Sequence, residues 1–434
     1  MIRKKQIFLS LLLAAVFLFT SCGASGADSD SGEPRKVTVI TELNIEDESA
    51  SDESADEMEE ANIFSELIRE DGTVDVTKVP HLYFYPLIND YRAFDPQVIS
   101  EARITVNNSN NLTPAEFREI LEKLYAAGFM LVRFTDLFLI EETPGGLLVS
   151  PNEKLILPEG KLPLLLTEDN VNYHHSTDNT GYASKIVLKN GKLSCAYVNA
   201  NGTEKTGDYD AVPILESFIE KHPDFSYEGA RMTLALTGYN GVLGYRTDES
   251  YRTRAGLTEL QQKWLEEHPD FDYDAEVAAA KETAAALTAA GYEFANKTWG
   301  DRIVSSATLT DLKVDLQKWK ASVTPILGDV KIFVFGHDSD IEESGGYSAD
   351  NNKFSYYTSE GYCIFCVSGR GLYTRESSGR NYVRSVRFPL TPYALKTAST
   401  GVEQWTAQTL WDLGVRNIAA FLDPERPDSY VYIS

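Results

Sequence analysis

From Val79 to Ser434 the chain alternates short apolar runs with helical patterns, and this rhythm restricts the fold more than any other feature. Each run has the length of a buried strand, and each helical stretch is long enough to carry the chain back to the start of the next one, as a parallel sheet requires. The first strand candidate is 81–87. Thr113-Pro114-Ala115-Glu116 has the form of a capping box with proline at the first helical position, so a helix opens there and stops at Gly128, before a strand at 129–134. Strands follow at 162–167, 232–237, 292–295, 331–335, 363–367 and 382–388, with helices at 212–221, 276–290 and 308–323. Between them, 185–188, the turn Lys189-Asn190-Gly191 and 193–198 read as an inserted β-hairpin. Seven or eight strand–helix units suit a distorted (β/α) barrel. A doubly wound open sheet is the alternative, but no glycine-rich phosphate loop supports it.

The N-terminus is of a different kind. Arg3, Lys4 and Lys5 precede an apolar run at 7–19 that ends in Thr20-Ser21-Cys22-Gly23, the order of a secretory signal, and a cysteine after small residues resembles the lipobox of bacterial lipoproteins. The expectation is a signal peptide at 1–21, lipid on Cys22, and an extracytoplasmic protein anchored to the membrane of a bacterium of Gram-positive type. Residues 22–75 read as an acidic, disordered tether, because 41–63 carry many Asp and Glu, no Lys or Arg, and little to bury. The folded domain is then 76–434. A net charge of −25 disfavours nucleic acid as a partner. Besides Cys22 there are three cysteines, an odd number, so at least one thiol is free. Cys363 and Cys366 sit in an apolar strand and are expected to pack in the core.

In a βα barrel the chemistry sits where strands end, and three such ends stand out. The first is Thr167-Glu168-Asp169-Asn170, the second Gly291–Asp301 (GYEFANKTWGD), and the third the run into Gly336-His337-Asp338. The second resembles a motif of polysaccharide deacetylases of the NodB-homology type, in which two histidines four positions apart hold a divalent metal; Lys297 and Asp301 stand at those positions. The first resembles the family's Thr-Phe-Asp-Asp-Gly, with Asp169 at the general-base position and Asn170 where a metal-binding Asp is usual. The third falls where the family has Pro-Tyr-Gly, with Val334 in place of Pro and no arginine evident. The opening strand has Tyr85-Pro86 where the family has Tyr-His or Phe-His. Segments 235–247 and 421–427 look like a clostridial-type, lipoprotein-borne branch.

This resemblance implies a distorted (β/α) barrel of the NodB deacetylase type with a β-hairpin insertion. It also implies a metal centre whose ligands have changed. Metal-assisted amide hydrolysis needs an ion that polarises the carbonyl and activates water, and an ammonium cannot ligate one. No cofactor is expected, and a zinc-like divalent metal only if an atypical set such as Asp169, Asp301 and His337 were functional. The Lys297 ammonium is instead expected in the space of the cation, paired with Asp169 and Asp301.

His174-His175 near Asp178 reads either as a displaced metal site with Asp169 or as a polar loop. His222 and His268, each in a His-Pro-Asp-Phe phrase, read as helix stops. Tyr173, Tyr239, Tyr245 and Trp299 are candidates for a sugar-binding cleft, because amphipathic rings give flat contact area with a polar edge. The favoured function is a surface lipoprotein that binds a cell-wall or extracellular glycan with conventional metal catalysis lost. An active carbohydrate deacetylase with an unusual ligand set is the alternative, and a lipid-anchored solute-binding or adhesive protein a further one.

Overall fold

Seven parallel strands close into a ring in the computed structural model, which describes residues 67–337, 339–341, 346–369 and 381–400 with residues 409, 410, 413 and 426. These residues belong to one compact unit, Glu59–Pro427. The signal-like N-terminus, Cys22, most of the acidic tether and Asp338 lie outside the described residues. No helix among the described residues is long and apolar enough to cross a membrane.

The ring consists of β1 (His81–Phe84), β2 (Leu162–Asp169), β3 (Thr233–Leu236), β4 (Glu293–Asn296), β5 (Ile332–Val334), β6 (Ile364–Ser368) and β7 (Val383–Pro389). Each pairs with its neighbour in chain order, and β7 returns to β1 through Leu82↔Phe388 and Tyr83↔Pro389. A singly wound barrel is therefore the outcome, and the open-sheet alternative is excluded. The strand expected at 129–134 is shorter, Phe129–Leu131, and stands outside the ring, paired with the first half of β2.

Local chemistry places the helices as expected. Thr113 and Glu116 form the capping box of the helix Pro114–Ala126. The helix Tyr273–Ala290 ends on Gly291 at φ 106°, where a Cβ would lie 2.0 Å from the Gly229 carbonyl oxygen, so only glycine fits. His222 and His268 each occupy the position after a helix. The inserted hairpin is a three-stranded meander, Ala183–Lys189, Lys192–Val198 and Glu204–Gly207. Its first turn has Asn190 at φ 53° and Gly191 at φ 76°, the left-handed pair that a two-residue hairpin loop requires.

At the start of the domain, packing reaches further than expected. Leu67 and Val74 are fully buried and Val76 nearly so, which puts the start of the packed domain before Asp75; the apolar Leu67 and Val74 flank a turn, and the acidic composition around them hid this. At the other end Arg426 reaches the capping-box residue: its Nε and Nη2 donate to Glu116 at 2.9 and 2.7 Å, and its remaining donors meet the Asn108 and Asn111 carbonyls. Both partners are buried, so removing one leaves an unpaired charge inside the protein. Arg426→Met should lower unfolding stability by about 3–5 kcal/mol, read from urea denaturation.

Candidate functional site

On β2 the side chains of Leu165, Thr167 and Asp169 share one face, by the two-residue period of a strand. That face is the barrel interior, and it changes character toward the strands' C-terminal ends. Leu165 packs in an apolar cluster with Ala235, Ala295, Ile332, Val334 and Cys366. One layer up, buried His81 bridges Thr167 Oγ1 at 2.7 Å and Ser385 Oγ at 2.9 Å. Burial, with the nearby Arg387 charge, holds this imidazole well below its usual pKa, so it is neutral. At the top, Arg387 Nη1 and Nη2 donate to the two oxygens of Asp169 at 2.6 and 3.2 Å, and the guanidinium carbon lies 4.2 Å from the centre of the Tyr83 ring. Burial disfavours the Arg387 charge, but Asp169 outweighs it and the pKa is raised.

Beside this pair, the second and third strand ends converge with the first. Lys297 Nζ donates to Asn170 Oδ1 at 2.7 Å and to Asp301 Oδ1 at 3.2 Å, and Lys297 is only 4 % exposed. His337 Nε2 lies 3.2 Å from Asp301 Oδ2 and 3.1 Å from the Asp301 carbonyl oxygen. A Cβ at Gly336, two residues beyond β5, would come within 2.9 Å of Asp301 Oδ1 and 3.3 Å of Lys297 Cε, so the bare backbone there leaves these two side chains room to pair. Burial alone would raise the Asp301 pKa. The Lys297 charge and the His337 hydrogen bond overcome it and hold the carboxyl far below the usual carboxylate range. The bond to Asp301 in turn raises the His337 pKa, against burial.

The expected partner of Lys297 is thus corrected in part. Asp301 is its ion-pair partner, but Asp169 is occupied by Arg387, and the second acceptor is the neutral Asn170. The backbone is strained at this point: Asn170, Thr298, Asp301 and His337 all take positive φ, at 63°, 62°, 50° and 57°. For the β-branched Thr298 this is a real outlier, costing on the order of 1 kcal/mol or more. Such strain persists where surrounding contacts over-determine it. Here Trp299 N and Gly300 N donate to Asp315 at 2.6 and 2.8 Å, anchoring the 297–301 loop to the helix Leu309–Ser322.

The cleft candidates divide. Half-buried Tyr239 and Trp299 meet edge to face at 6.5 Å, and His174 stacks flat on Tyr239 at 4.1 Å, making an aromatic wall near the Lys297 cluster. Burial pushes His174 down to about 3, so it is a neutral ring. Tyr173 and Tyr245 belong instead to the hydrophobic core, 2 % and 5 % exposed; their polar sequence neighbours concealed that the chain turns inward there. His175 bonds Asp178 in its own loop and Tyr251 on the helix Glu249–Thr253, each at 2.5 Å, so both ring nitrogens are committed and the displaced metal site does not form. Among the described residues no group of three or more His, Cys, Asp and Glu side chains is placed to hold a metal ion.

Arg387, absent from the sequence-derived site, is the most deeply buried charged member of it. Glu168, one residue before Asp169, points to the opposite face of β2 and has both carboxyl oxygens buried without a hydrogen-bond partner. Burial first, and the charge of Asp210 second, raise its pKa well above the carboxylate range. Cys195, Cys363 and Cys366 are free and buried, as core packing requires.

No family profile matches the chain, and no curated protein matches it in sequence. Among solved structures it is similar to a polysaccharide deacetylase from Bacillus cereus, with 12 % identity over 77 % of this chain and 69 % of that one and a TM-score of 0.38. It is also similar to a deacetylase from Streptococcus pyogenes solved in complex with acetate, with 14 % identity over 74 % of this chain and 97 % of that one and the same TM-score of 0.38.

Two outcomes follow. Lys297→Met should lower stability by on the order of 2–3 kcal/mol, less than a fully buried pair would lose because Asp301 keeps some solvent and His337; a variant as stable as the parent would show that the ammonium has no structural part. A raised His337 pKa stabilises the fold below the unfolded value of about 6.5 and loses that contribution as pH rises through the folded value. The stability difference between the parent and His337→Gln should therefore be larger at pH 5.5 than at pH 9, measured by denaturation at each pH.

Proposed function

We propose that this chain is a lipid-anchored, extracytoplasmic protein with a polysaccharide deacetylase-like barrel that binds a cell-wall or extracellular glycan and has lost metal-dependent deacetylation. The observation that carries the reading is the position of the Lys297 ammonium, between Asn170 Oδ1 and Asp301 Oδ1 at the open end of the barrel. Of the three residues that the family resemblance places at metal positions, one supplies the cation and the other two accept its hydrogen bonds. The donor set does not suit a divalent ion. Asn170 offers a neutral oxygen, Lys297 offers no lone pair while protonated, and Asp301 is already held by an ammonium and an imidazole.

Charge balance supports the same conclusion. Asp169 and Asp301 are matched by Arg387 and Lys297, so a further divalent cation would add charge that nothing compensates. The half-buried rings of His174, Tyr239 and Trp299 beside this centre are the candidate saccharide contacts, with Lys318 Nζ 4.2 Å from the centre of the Trp299 ring. The anchor at Cys22 rests on the N-terminal sequence pattern alone.

An active deacetylase using Asp169, Asp301 and His337 is the second reading, favoured by the contact between His337 and Asp301. The bidentate hold of Arg387 on Asp169 counts against it, since both oxygens of the third ligand are engaged. A two-lobed solute receptor finds no support in a single closed ring of strands.

Elemental analysis of the purified protein separates these readings: the expected result is no stoichiometric metal, no acetate release from N- or O-acetylated glycans, and a rise in melting temperature with a bound glycan. Bound metal together with acetate release would establish the enzyme instead. Replacing Asn170→Asp, Lys297→His and Asp301→His together should create measurable zinc affinity by titration calorimetry, and failure to bind would refute the assignment of these positions.

A further inference from the structure

Beside the barrel mouth, a groove of about 940 Å³ runs between the inserted meander and the helix Glu259–Glu267. That volume lies in the range of small-molecule sites. The meander is clamped against the loop after β3. A Cβ on Gly244, at φ +89°, would meet the Ser184 carbonyl oxygen at 2.3 Å and Lys185 Cα at 2.4 Å, and Ile186 N donates to the Leu243 carbonyl at 3.1 Å. The two backbones touch, so this wall is fixed.

The floor is fixed as well, by saturated polar contacts. Arg246, 3 % exposed, donates to the Tyr173 carbonyl at 2.7 Å and to both oxygens of Asp178 at 3.0 and 3.3 Å. Asp178 also holds His175. On the opposite wall Trp264 carries Arg246 at 5.8 Å over its ring, and the exposed His268 ring lies flat on it at 4.1 Å. A two-ring stack with one member in water suits the apolar face of a pyranose.

The charge on the lining tells which saccharide fits. Six carboxylates face three Lys and Arg side chains. Asp178 is matched by Arg246, Glu276 by Lys185 at 3.2 Å, and Glu267 by Lys263 at 3.8 Å. Asp272 caps the helix Tyr273–Ala290. Glu204 and Asp270, both exposed, have no ion pair among the described residues, and they belong to opposite walls, the meander and the loop after the helix Glu259–Glu267.

We propose that this groove binds an oligosaccharide bearing free amines, with a sugar ring against the His268–Trp264 stack and ammonium groups facing Glu204 and Asp270. The inference rests on the glycan-binding reading above but assigns a second site of different selectivity. A neutral, acetylated sugar would gain only hydrogen bonds from these carboxylates, whereas an amino sugar also supplies the missing cations.

The test uses the full-length chain and the β-1,4-linked trimer of glucosamine, with the N-acetylated trimer for comparison, by titration calorimetry. Expected are saturable binding of the amine-bearing trimer that weakens as salt is raised, an affinity at least tenfold lower for its acetylated counterpart at this site, and a loss of tenfold or more in Glu204→Lys/Asp270→Lys. Both substituted residues are exposed, so the fold should survive, which a melting curve checks. Glu204→Gln/Asp270→Asn should show a smaller loss in the same direction. No binding of the amine-bearing trimer, or full affinity in the charge-reversed variant, would overturn the proposal. Affinity lost on Trp299→Ala but kept in the rim variants would also overturn it. That last result would place binding at the barrel mouth and leave the proposed function standing.

Discussion

A carboxylate taken out of water must find a cation or give up its charge, and the upper half of this barrel is organised by that requirement. Asp169 is fully buried and answered by Arg387; Asp301 is partly buried and answered by Lys297 and His337. Arg387 stands on the last strand and Asp169 on the second, so the pair ties the closing strand of the ring across the interior. The Lys297 pair does the same for the ends of β2, β4 and β5 through Asn170, Asp301 and Gly336. Glu168 shows the other solution: on the outer face of the same strand, buried with the Asp210 carboxyl for a neighbour and no cation to answer it, its carboxyl is driven toward the neutral form.

Much of the frame was legible because its signals are local. The capping box at Thr113, the Asn190-Gly191 turn and the stop at Gly291 each lie within a few residues, and each appears where expected. Asn170, Lys297 and Asp301 were readable through a resemblance of short segments, and they do meet in space. Arg387 was not readable, because 218 residues separate it from Asp169 and its strand carries two arginines with no cue to choose between them. The two-residue alternation of β7 decides: Ser385 and Arg387 share the inward face with Val383, while Arg384 turns the other way to Asp340. Tyr173 and Tyr245 failed as cleft residues for a related reason, since an aromatic ring in a polar stretch looks the same in sequence whether the chain turns it out or in.

The meander insertion gives the molecule a surface that a minimal barrel would lack. It packs against the helices Ala211–Lys221 and Tyr273–Ala290, and the close approach at Gly244 holds it edge-on to the loop after β3. The mouth is internally neutral in its ion pairs, whereas the adjoining groove keeps unmatched carboxylates. The two surfaces therefore differ in the charge they present, although both are built at the C-terminal ends of neighbouring strands.

The bond between Glu116 and Arg426 spans 310 residues, and the β1–β7 pairing spans nearly as many. Glu116 leaves the ribosome long before its guanidinium exists, and the first strand waits equally long for its last neighbour. Closure of the cylinder is therefore a late event, with a high cost in loop entropy until the tail arrives. Until then the growing polypeptide exposes an unpaired edge on β1, and a chain released before Arg426 is made would lack its final latch.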